Sequence, residues 1–281
     1  MSALHRDVAA LTLLLLAAAA SPAAAAVDAP TDPAAPAAKA PTVARVRVAV
    51  GSEERVGWRL GVDEAGATAL LQDDGAVAWA MVEPVEAWLE SEELPLSALP
   101  PAHLAGALGH EMAPIRERCE ELLIAQGPLA AAAVGEAVRA PSAEARRHAL
   151  QVLAERPAKQ WRARIRERLH EDVEPAVRRA ALAAYAALEC DDLVPVCLAL
   201  LKFDDDARVR HDAIGRLGRS RDLTVIDPLL AHLDGCEERS LRLVTFDALR
   251  RLTGRKFGRD EAAWRAWWTN HHAELLPEEA H

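Results

Sequence analysis

The chain has 281 residues, a net charge of −10 and aromatic side chains at only 4% of its positions. This charge argues against a general nucleic-acid-binding function, because neutralising phosphates requires a basic surface. The apolar residues, 51% of the chain, are dominated by Ala and Leu and include few β-branched residues. This composition favours packed helices over a β-sandwich or barrel.

Residues 1–26 are typical of a secretory signal peptide. A polar start containing Arg6 precedes an apolar run from Val8 to Ala20, and several Ala-x-Ala cleavage sites follow. The alternative is an uncleaved N-terminal membrane anchor, because the segment from Val8 to Val27 is about long enough to cross a bilayer. We expect cleavage near Ala26, an exported protein that is periplasmic or extracellular, and no membrane span after cleavage.

Residues 27–42 are rich in Pro and Ala and have no periodicity, which predicts a linker. Residues 43–84 contain four short runs in which apolar and polar residues alternate, separated by Gly- and Asp-rich turn signals. The runs are ARVRVAV, RVGWRLGV, ATALLQD and AVAWAMV. They predict a small all-β module, either an antiparallel meander or an SH3-like barrel. Residues 85–104 predict a connecting segment, and the stretch PVEAWLESEELPLSALPP predicts a short acidic helix within it.

The sequence predicts helices in repeated pairs from residue 105 to residue 270. An Arg recurs at a spacing of 30 residues and then three times at 32, with a small residue three positions later and a larger one seven positions later. The five arginines are Arg116, Arg146, Arg178, Arg210 and Arg242. A period of this length with two helices per unit indicates a solenoid of helical hairpins. We expect these arginines to be structural, pairing with acids or carbonyls between neighbouring units.

The third unit carries the clearest pattern, EPAVRRAAL, at residues 174–182. Together with its partner helix, this stretch resembles the HEAT-repeat family, and in particular the short bacterial HEAT-like repeats also found in bilin lyases. The resemblance covers roughly residues 105–270 and is strongest over residues 173–252. It implies a mostly α-helical solenoid, preceded here by the small β-module, in which the second helix of each unit lines a concave surface.

A concentrated basic stretch, WRARIRERLH, occupies residues 161–170. On a second helix of the solenoid, its arginines would form an anion- or acid-binding stripe in an otherwise acidic protein. The alternative is a solvated face whose charges pair with Glu167, Glu171 and Asp172. The candidate binding residues are Arg162, Arg164, Arg166 and Arg168.

Three tryptophans near the end of the array, Trp264, Trp267 and Trp268, lie at helical spacing. One interpretation is a capping helix whose indoles seal the last hydrophobic face, and the other is an aromatic docking patch. Residues 271–281 then read as a solvated tail.

Four cysteines, Cys119, Cys190, Cys197 and Cys236, are present in a chain that we expect to be exported. Cys190 ends one helix and Cys197 lies early in the next, so a disulfide between them is a candidate in an oxidising compartment. The alternative is four thiols packed as small apolar groups.

The sequence carries no complete catalytic or metal motif. His110-Glu111 begins the zinc-binding pattern H-E-x-x-H, but Pro114 occupies the position that requires the second His. His170-Glu171 begins the same pattern, and there Glu174 occupies that position. A nucleophile elbow, a phosphate-binding loop and a dinucleotide fingerprint are also absent from the sequence. We therefore predict no catalytic residue, no metal and no cofactor.

These observations favour a non-catalytic interaction scaffold of the bacterial cell envelope, which binds a protein or peptide on its solenoid surface. An anionic polymer is a less favoured ligand, and no nucleic-acid partner is expected. Two alternatives are an enzyme or enzyme-accessory protein related to the HEAT-like bilin lyases and a purely structural spacer.

Overall fold

The computed structural model describes residues 41–50, 53–62, 67–81 and 88–276. The expected signal peptide, nearly all of the Pro/Ala-rich linker and the last five residues of the tail lie outside this part of the chain. None of the helices within these ranges combines the length and the apolar character that a bilayer-spanning helix needs.

The alternating residues near the start of the described chain form a five-stranded antiparallel sheet in the order β4-β3-β2-β1-β5. The strands are β1 (Thr42–Val50), β2 (Glu53–Val62), β3 (Ala67–Leu71), β4 (Val77–Met81) and β5 (Trp88–Pro95). Strands β1 to β4 confirm the meander that the alternation predicts. Strand β5 returns to pair with β1, which places Leu94 opposite Val43.

The side chains on the two faces of the sheet belong to different apolar clusters, because successive residues of a strand point to opposite faces. Trp58 and Leu71 lie on the face that joins the helical core. Val46, Val48 and Leu70 form a separate apolar cluster on the other face. The sheet therefore contributes one face to the main core of the protein.

The prediction of a short acidic helix after residue 84 is wrong, because strand β5 covers Trp88–Pro95. This strand lies at the edge of the sheet and is held by its pairing with β1, where Glu92 stands opposite Arg45. Opposite charges in facing positions stabilise antiparallel pairs, and charged residues are common on edge strands. Residues 88–104, the described part of the expected connecting segment, thus contain both strand and helix.

The remainder of the described chain is helical. The helices are α1 (Pro101–Ala107), α2 (Ala113–Gln126), α3 (Ala131–Ala137), α4 (Ala143–Glu155), α5 (Arg162–Glu171), α6 (Pro175–Ala187), α7 (Leu193–Phe203), α8 (Ala207–Leu217), α9 (Ile226–Asp234), α10 (Arg239–Thr253) and α11 (Glu261–Leu275). The recurrent arginines all lie on α2, α4, α6, α8 and α10, the first helices of the five hairpins.

The first helices stack on one another in chain order, since α2 contacts α4, α4 contacts α6, α6 contacts α8 and α8 contacts α10. The residue before the recurrent Arg is buried in successive units. Val177, Val209 and Leu241 are each at most 1% exposed. The repeated unit therefore buries the same face each time, and the predicted α-solenoid is confirmed.

Local sequence signals set where several helices begin. Pro175 is the first residue of α6, a position where its missing N–H costs no hydrogen bond. The Asp206 carboxylate caps α8 by accepting hydrogen bonds from the N–H groups of Arg208 and Val209 at 2.9 and 3.2 Å. Asp260 caps α11 in the same way, by accepting from the N–H of Ala263 at 3.0 Å.

The sheet and the helices share one hydrophobic core in the described residues. Gln126 of α2 strengthens this junction, because its buried amide donates to the carbonyl oxygens of Leu96 and Leu99 at 3.1 and 2.7 Å. Both carbonyls lie within four residues of the end of β5. A small sheet is marginal alone, and here it is held against the first helices of the array.

Candidate functional site

The recurrent arginines form a ladder along the first helices. Each donates from Nη1 to the carbonyl six residues earlier, in the turn that precedes its own helix. The pairs are Arg116 with His110 (2.7 Å), Arg146 with Ala140 (3.0 Å), Arg178 with Asp172 (3.0 Å), Arg210 with Asp204 (2.8 Å) and Arg242 with Cys236 (3.4 Å). These bonds satisfy turn carbonyls between units, so the structural role predicted for the arginines is confirmed.

Two members of the ladder also bind both oxygens of a carboxylate in the following turn. Arg146 donates to both oxygens of Asp172 at 2.7 and 2.9 Å, and Arg178 donates to both oxygens of Asp204 at 2.8 Å. Burial raises the pKa of the Asp172 carboxyl, but the hydrogen bonds and charge of Arg146, with further help from the Glu174 N–H and Arg168, leave that pKa below its ordinary value. The ladder is therefore an ionic lock between units.

The basic stretch at residues 162–168 lies on α5, a second helix, as predicted. Each of its arginines has a carboxylate partner within the protein, so the stripe is largely neutralised. The pairs are Arg162 with Asp192 (2.9 Å), Arg164 with Glu136 (2.8 Å), Arg166 with Asp192 (3.5 Å), and Arg168 with Glu167 and Asp172. Arg164 also stacks over the ring of Trp161. These contacts favour the paired-face interpretation of the stretch.

The tryptophans of α11 divide into two groups. Trp264 and Trp268 are 1% and 4% exposed, and their indole N–H groups donate to the Gly258 carbonyl and the Asp227 carboxylate. Trp267 is only partly buried, and Arg255 lies over its ring. The buried pair closes the last hydrophobic face, and Trp267 alone of the three is not fully buried.

The structure holds all four cysteines as free thiols. Burial raises the pKa of the Cys119 thiol and of the Cys197 thiol to about 12, which disfavours the reactive thiolate form. The disulfide between Cys190 and Cys197 stays a prediction.

The partial zinc motifs do not gather ligands. In the described part of the chain, no group of three or more His, Cys, Asp or Glu side chains lies where it could hold a metal ion. His110 instead accepts a hydrogen bond from the Met112 N–H at 3.1 Å. His170 has an exposed side chain, and desolvation followed by the positive charge of Arg166 lowers its pKa.

A groove of about 650 Å³ crosses three consecutive first helices, α6, α8 and α10. We call it the first-helix groove. Its floor is formed by Leu182, Ala183, Gly215, Leu243 and Val244. Its charged lining consists of Arg179, Asp212, Arg216, Arg219, Asp247 and Arg251. The groove therefore combines an apolar floor with four arginines and two aspartates.

Gly215 keeps the middle of this groove open. A Cβ atom placed on Gly215 would meet only the Arg219 guanidinium, at 3.9 Å. Gly218, one turn later, differs, because a Cβ there would lie 2.8 Å from both Cα and Cβ of Ala248. Gly218 is thus required by the close approach of α8 and α10, whereas Gly215 leaves space for something outside the fold.

Two of the groove's arginines are already neutralised within the protein. Arg179 lies 2.7 Å from Asp212, and Arg251 lies 2.7 Å from Asp247. Arg216 and Arg219 have no carboxylate partner among the described residues, and Arg219 donates only to the Gly215 carbonyl at 3.2 Å. The groove therefore presents two uncompensated positive charges on a protein whose net charge is −10.

Arg216 also interrupts a column of buried apolar residues. The position six residues after the ladder arginine is at most 5% exposed in the other four units, where it holds Leu122, Val152, Ala184 and Ala248. Arg216 occupies that position in the fourth unit and is partly exposed. This residue was not among the predicted site residues, although an Arg in an otherwise apolar column is a readable signal.

Comparisons with known proteins identify the repeats. A family profile described as HEAT repeats matches residues 163–250. Among solved structures, the chain is similar to one from the complex of CpcE and CpcF of phycocyanin lyase from Nostoc sp. PCC7120. The similarity has 17% identity and a TM-score of 0.29, and it covers 63% of this chain and 82% of the other. The search of curated proteins finds no significant match. The chain is therefore a mostly helical protein with HEAT-like repeats, and the family profile assigns them over residues 163–250.

Proposed function

We propose that this protein is a non-catalytic interaction scaffold of the bacterial cell envelope and that it binds a protein or peptide segment on the first-helix groove. The proposal rests chiefly on one observation: a preformed, partly apolar groove extends over three stacked repeats. A rigid surface of this kind lowers the ordering cost of binding an extended partner.

The envelope location is supported by the sequence of residues 1–26, which is typical of an export signal. A scaffold in that compartment would display its repeats to other exported proteins. The groove is preferred over the α5 arginines as the binding surface, because the α5 arginines already have carboxylate partners.

Site-specific photo-crosslinking in the envelope tests the proposal. The full chain carries a photoreactive phenylalanine at position 211, where exposed His211 lines the groove. We expect one discrete crosslinked protein, and we expect it to disappear when Gly215→Leu is added, because the leucine fills the groove.

A second photoreactive chain serves as the matched control, with the probe at Ala176, an exposed position on α6 outside the groove lining. Loss of the crosslink from position 211 alone supports the scaffold. A crosslink that survives Gly215→Leu, an equal crosslink from position 176, or no discrete product would each overturn it.

A further inference from the structure

We infer that the occupant of the first-helix groove is an acidic amphipathic peptide segment, which places its apolar side chains on the groove floor and its carboxylates against Arg216 and Arg219. This inference rests on the proposed function and specifies the chemistry of the partner. Both cations lie on or directly after α8, at the centre of the three helices.

The positive charge of the groove favours a negatively charged partner. The Arg179 and Arg251 guanidinium groups pair with aspartates of the same groove, so their charges are largely neutralised. Arg216 and Arg219 have no such partner in the described chain. A guanidinium binds a carboxylate with two parallel hydrogen bonds, and complementary charge speeds association and suppresses wrong partners.

Arg216 has an environment that strengthens this selection. Its backbone position is one that the other four units fill with buried apolar residues, and its side chain remains partly buried. Partial burial weakens the screening of a charge by water and salt. An incoming carboxylate would therefore interact more strongly with Arg216 than with a fully exposed arginine.

The apolar floor distinguishes a peptide from a simple polyanion. Leu243 and Val244 of α10 are partly exposed within the groove, and Gly215 adds an opening between them and α6. A nucleic acid or an acidic polysaccharide would cover these side chains without burying apolar groups against them. A peptide with leucines on one side and glutamates on the other satisfies both parts of the lining.

Fluorescence anisotropy with defined peptides tests the inference on the full chain. Three packed helices at about 10 Å spacing span about 20 Å, and an α-helical peptide of roughly 14–16 residues covers that distance. The probes are a fluorescein-labelled Leu/Glu amphipathic peptide, the same peptide with Lys for every Glu, and the same peptide with Ser for every Glu.

We expect the Leu/Glu peptide to bind and the double variant Arg216→Gln/Arg219→Gln to weaken its binding by roughly tenfold or more, since two charge-assisted hydrogen-bonding partners are lost. The matched control is Lys256→Gln/Arg259→Gln, which removes two exposed positive charges outside the groove. We expect it to change the dissociation constant by less than about twofold. Circular dichroism checks that both variants are folded.

Several results would overturn the inference. These are absence of binding by the Leu/Glu peptide, equal binding of the Lys or Ser peptide, equal weakening by the control variant, and displacement by heparin at lower concentrations than by unlabelled Leu/Glu peptide. The last result would assign the groove to a polyanion.

The crosslinking described above separates this inference from the proposed function. A crosslink that is lost with Gly215→Leu but unchanged in Arg216→Gln/Arg219→Gln leaves the scaffold standing and removes the acidic partner. Loss of the crosslink in both variants supports both proposals.

Discussion

Asp172 carries its charge in the interior of the array, where its side chain is 1% exposed and bound by Arg146. Removing one partner of a buried ion pair leaves the other charge uncompensated, at a cost of about 3–5 kcal/mol. We therefore expect Asp172→Asn to lower the free energy of unfolding at pH 7 by about 3 kcal/mol. Urea unfolding followed by circular dichroism measures this change.

The difference in stability between wild type and Asp172→Asn should also depend on pH. The pKa of Asp172 is lowered in the folded protein, so its stabilising contribution is present above its unfolded pKa of about 3.9 and is lost as the pH falls through the folded value. We expect the difference between wild type and Asp172→Asn to shrink below about pH 4. The control is Asp191→Asn, an exposed carboxylate; a constant difference across pH, or an equal loss from the control, would contradict the ionic lock.

The two glycines of the α8 region predict opposite effects of the same substitution. Gly215→Ala adds a methyl group in open space on a helix, and we expect it to stabilise the protein by about 0.5–1 kcal/mol. Gly218→Ala would force apart α8 and α10 at Ala248, and we expect a loss of about 1–3 kcal/mol. Thermal unfolding of the two variants checks both signs. Destabilisation of equal size in both would show that the groove is not open at Gly215.

At the level of single residues, the sequence was informative wherever a residue recurred. The ladder arginines were predictable because they repeat at the same position of each unit. The pairing of Arg146 with Asp172 was less evident, because the two residues are separated by a whole hairpin. The groove was missed because it depends on the absence of a side chain at Gly215 and on the alignment of three helices, neither of which a local motif reveals.

Among the helices, α11 carries neighbouring tryptophans whose removal should differ clearly in its cost to stability. Trp264 is 1% exposed and contacts Phe257 edge to face with ring centroids 5.0 Å apart. We expect Trp264→Ala to cost about 3–5 kcal/mol, as large-to-small substitutions in a core do. Trp267 is only partly buried, so Trp267→Ala should cost less than half as much. Urea unfolding measures both, and equal costs would contradict the capping role of the buried indole.

The strands and helices were predictable where the apolar pattern had a clear period. Strands β1 to β4 alternate visibly, and the hairpins repeat with an apolar face. Strand β5 was missed because its sequence, WLESEELP, lacks that alternation. It is held by backbone pairing with β1 and by facing charges such as Arg45 and Glu92, which depend on a partner about 50 residues away in the chain.

For the whole molecule, the continuous core predicts cooperative unfolding. The core joins Trp58 of the sheet to Trp264 of the last helix through all the intervening repeats. We expect tryptophan fluorescence and far-ultraviolet circular dichroism to report one coincident urea transition, since separate cores would unfold separately. Two resolved transitions would contradict a shared core and would indicate that the sheet folds as an independent module.

The net charge of the whole molecule also bears on the proposed binding surface. A net charge of −10 disfavours the approach of acidic partners in general. The first-helix groove is an exception, because its lining has more arginines than aspartates. The arginines of the second helix α5 do not form a similar positive surface, since Asp192, Glu136 and other carboxylates pair with them.

Hydrogen–deuterium exchange of the full chain, with and without the Leu/Glu peptide, tests the central claim most directly. If the first-helix groove is the binding surface, the amides of α6, α8 and α10 should exchange more slowly in the complex, and those of α5 and α7 should be unchanged. Slower exchange centred on α5 and α7, or no change in α8, would contradict the claim.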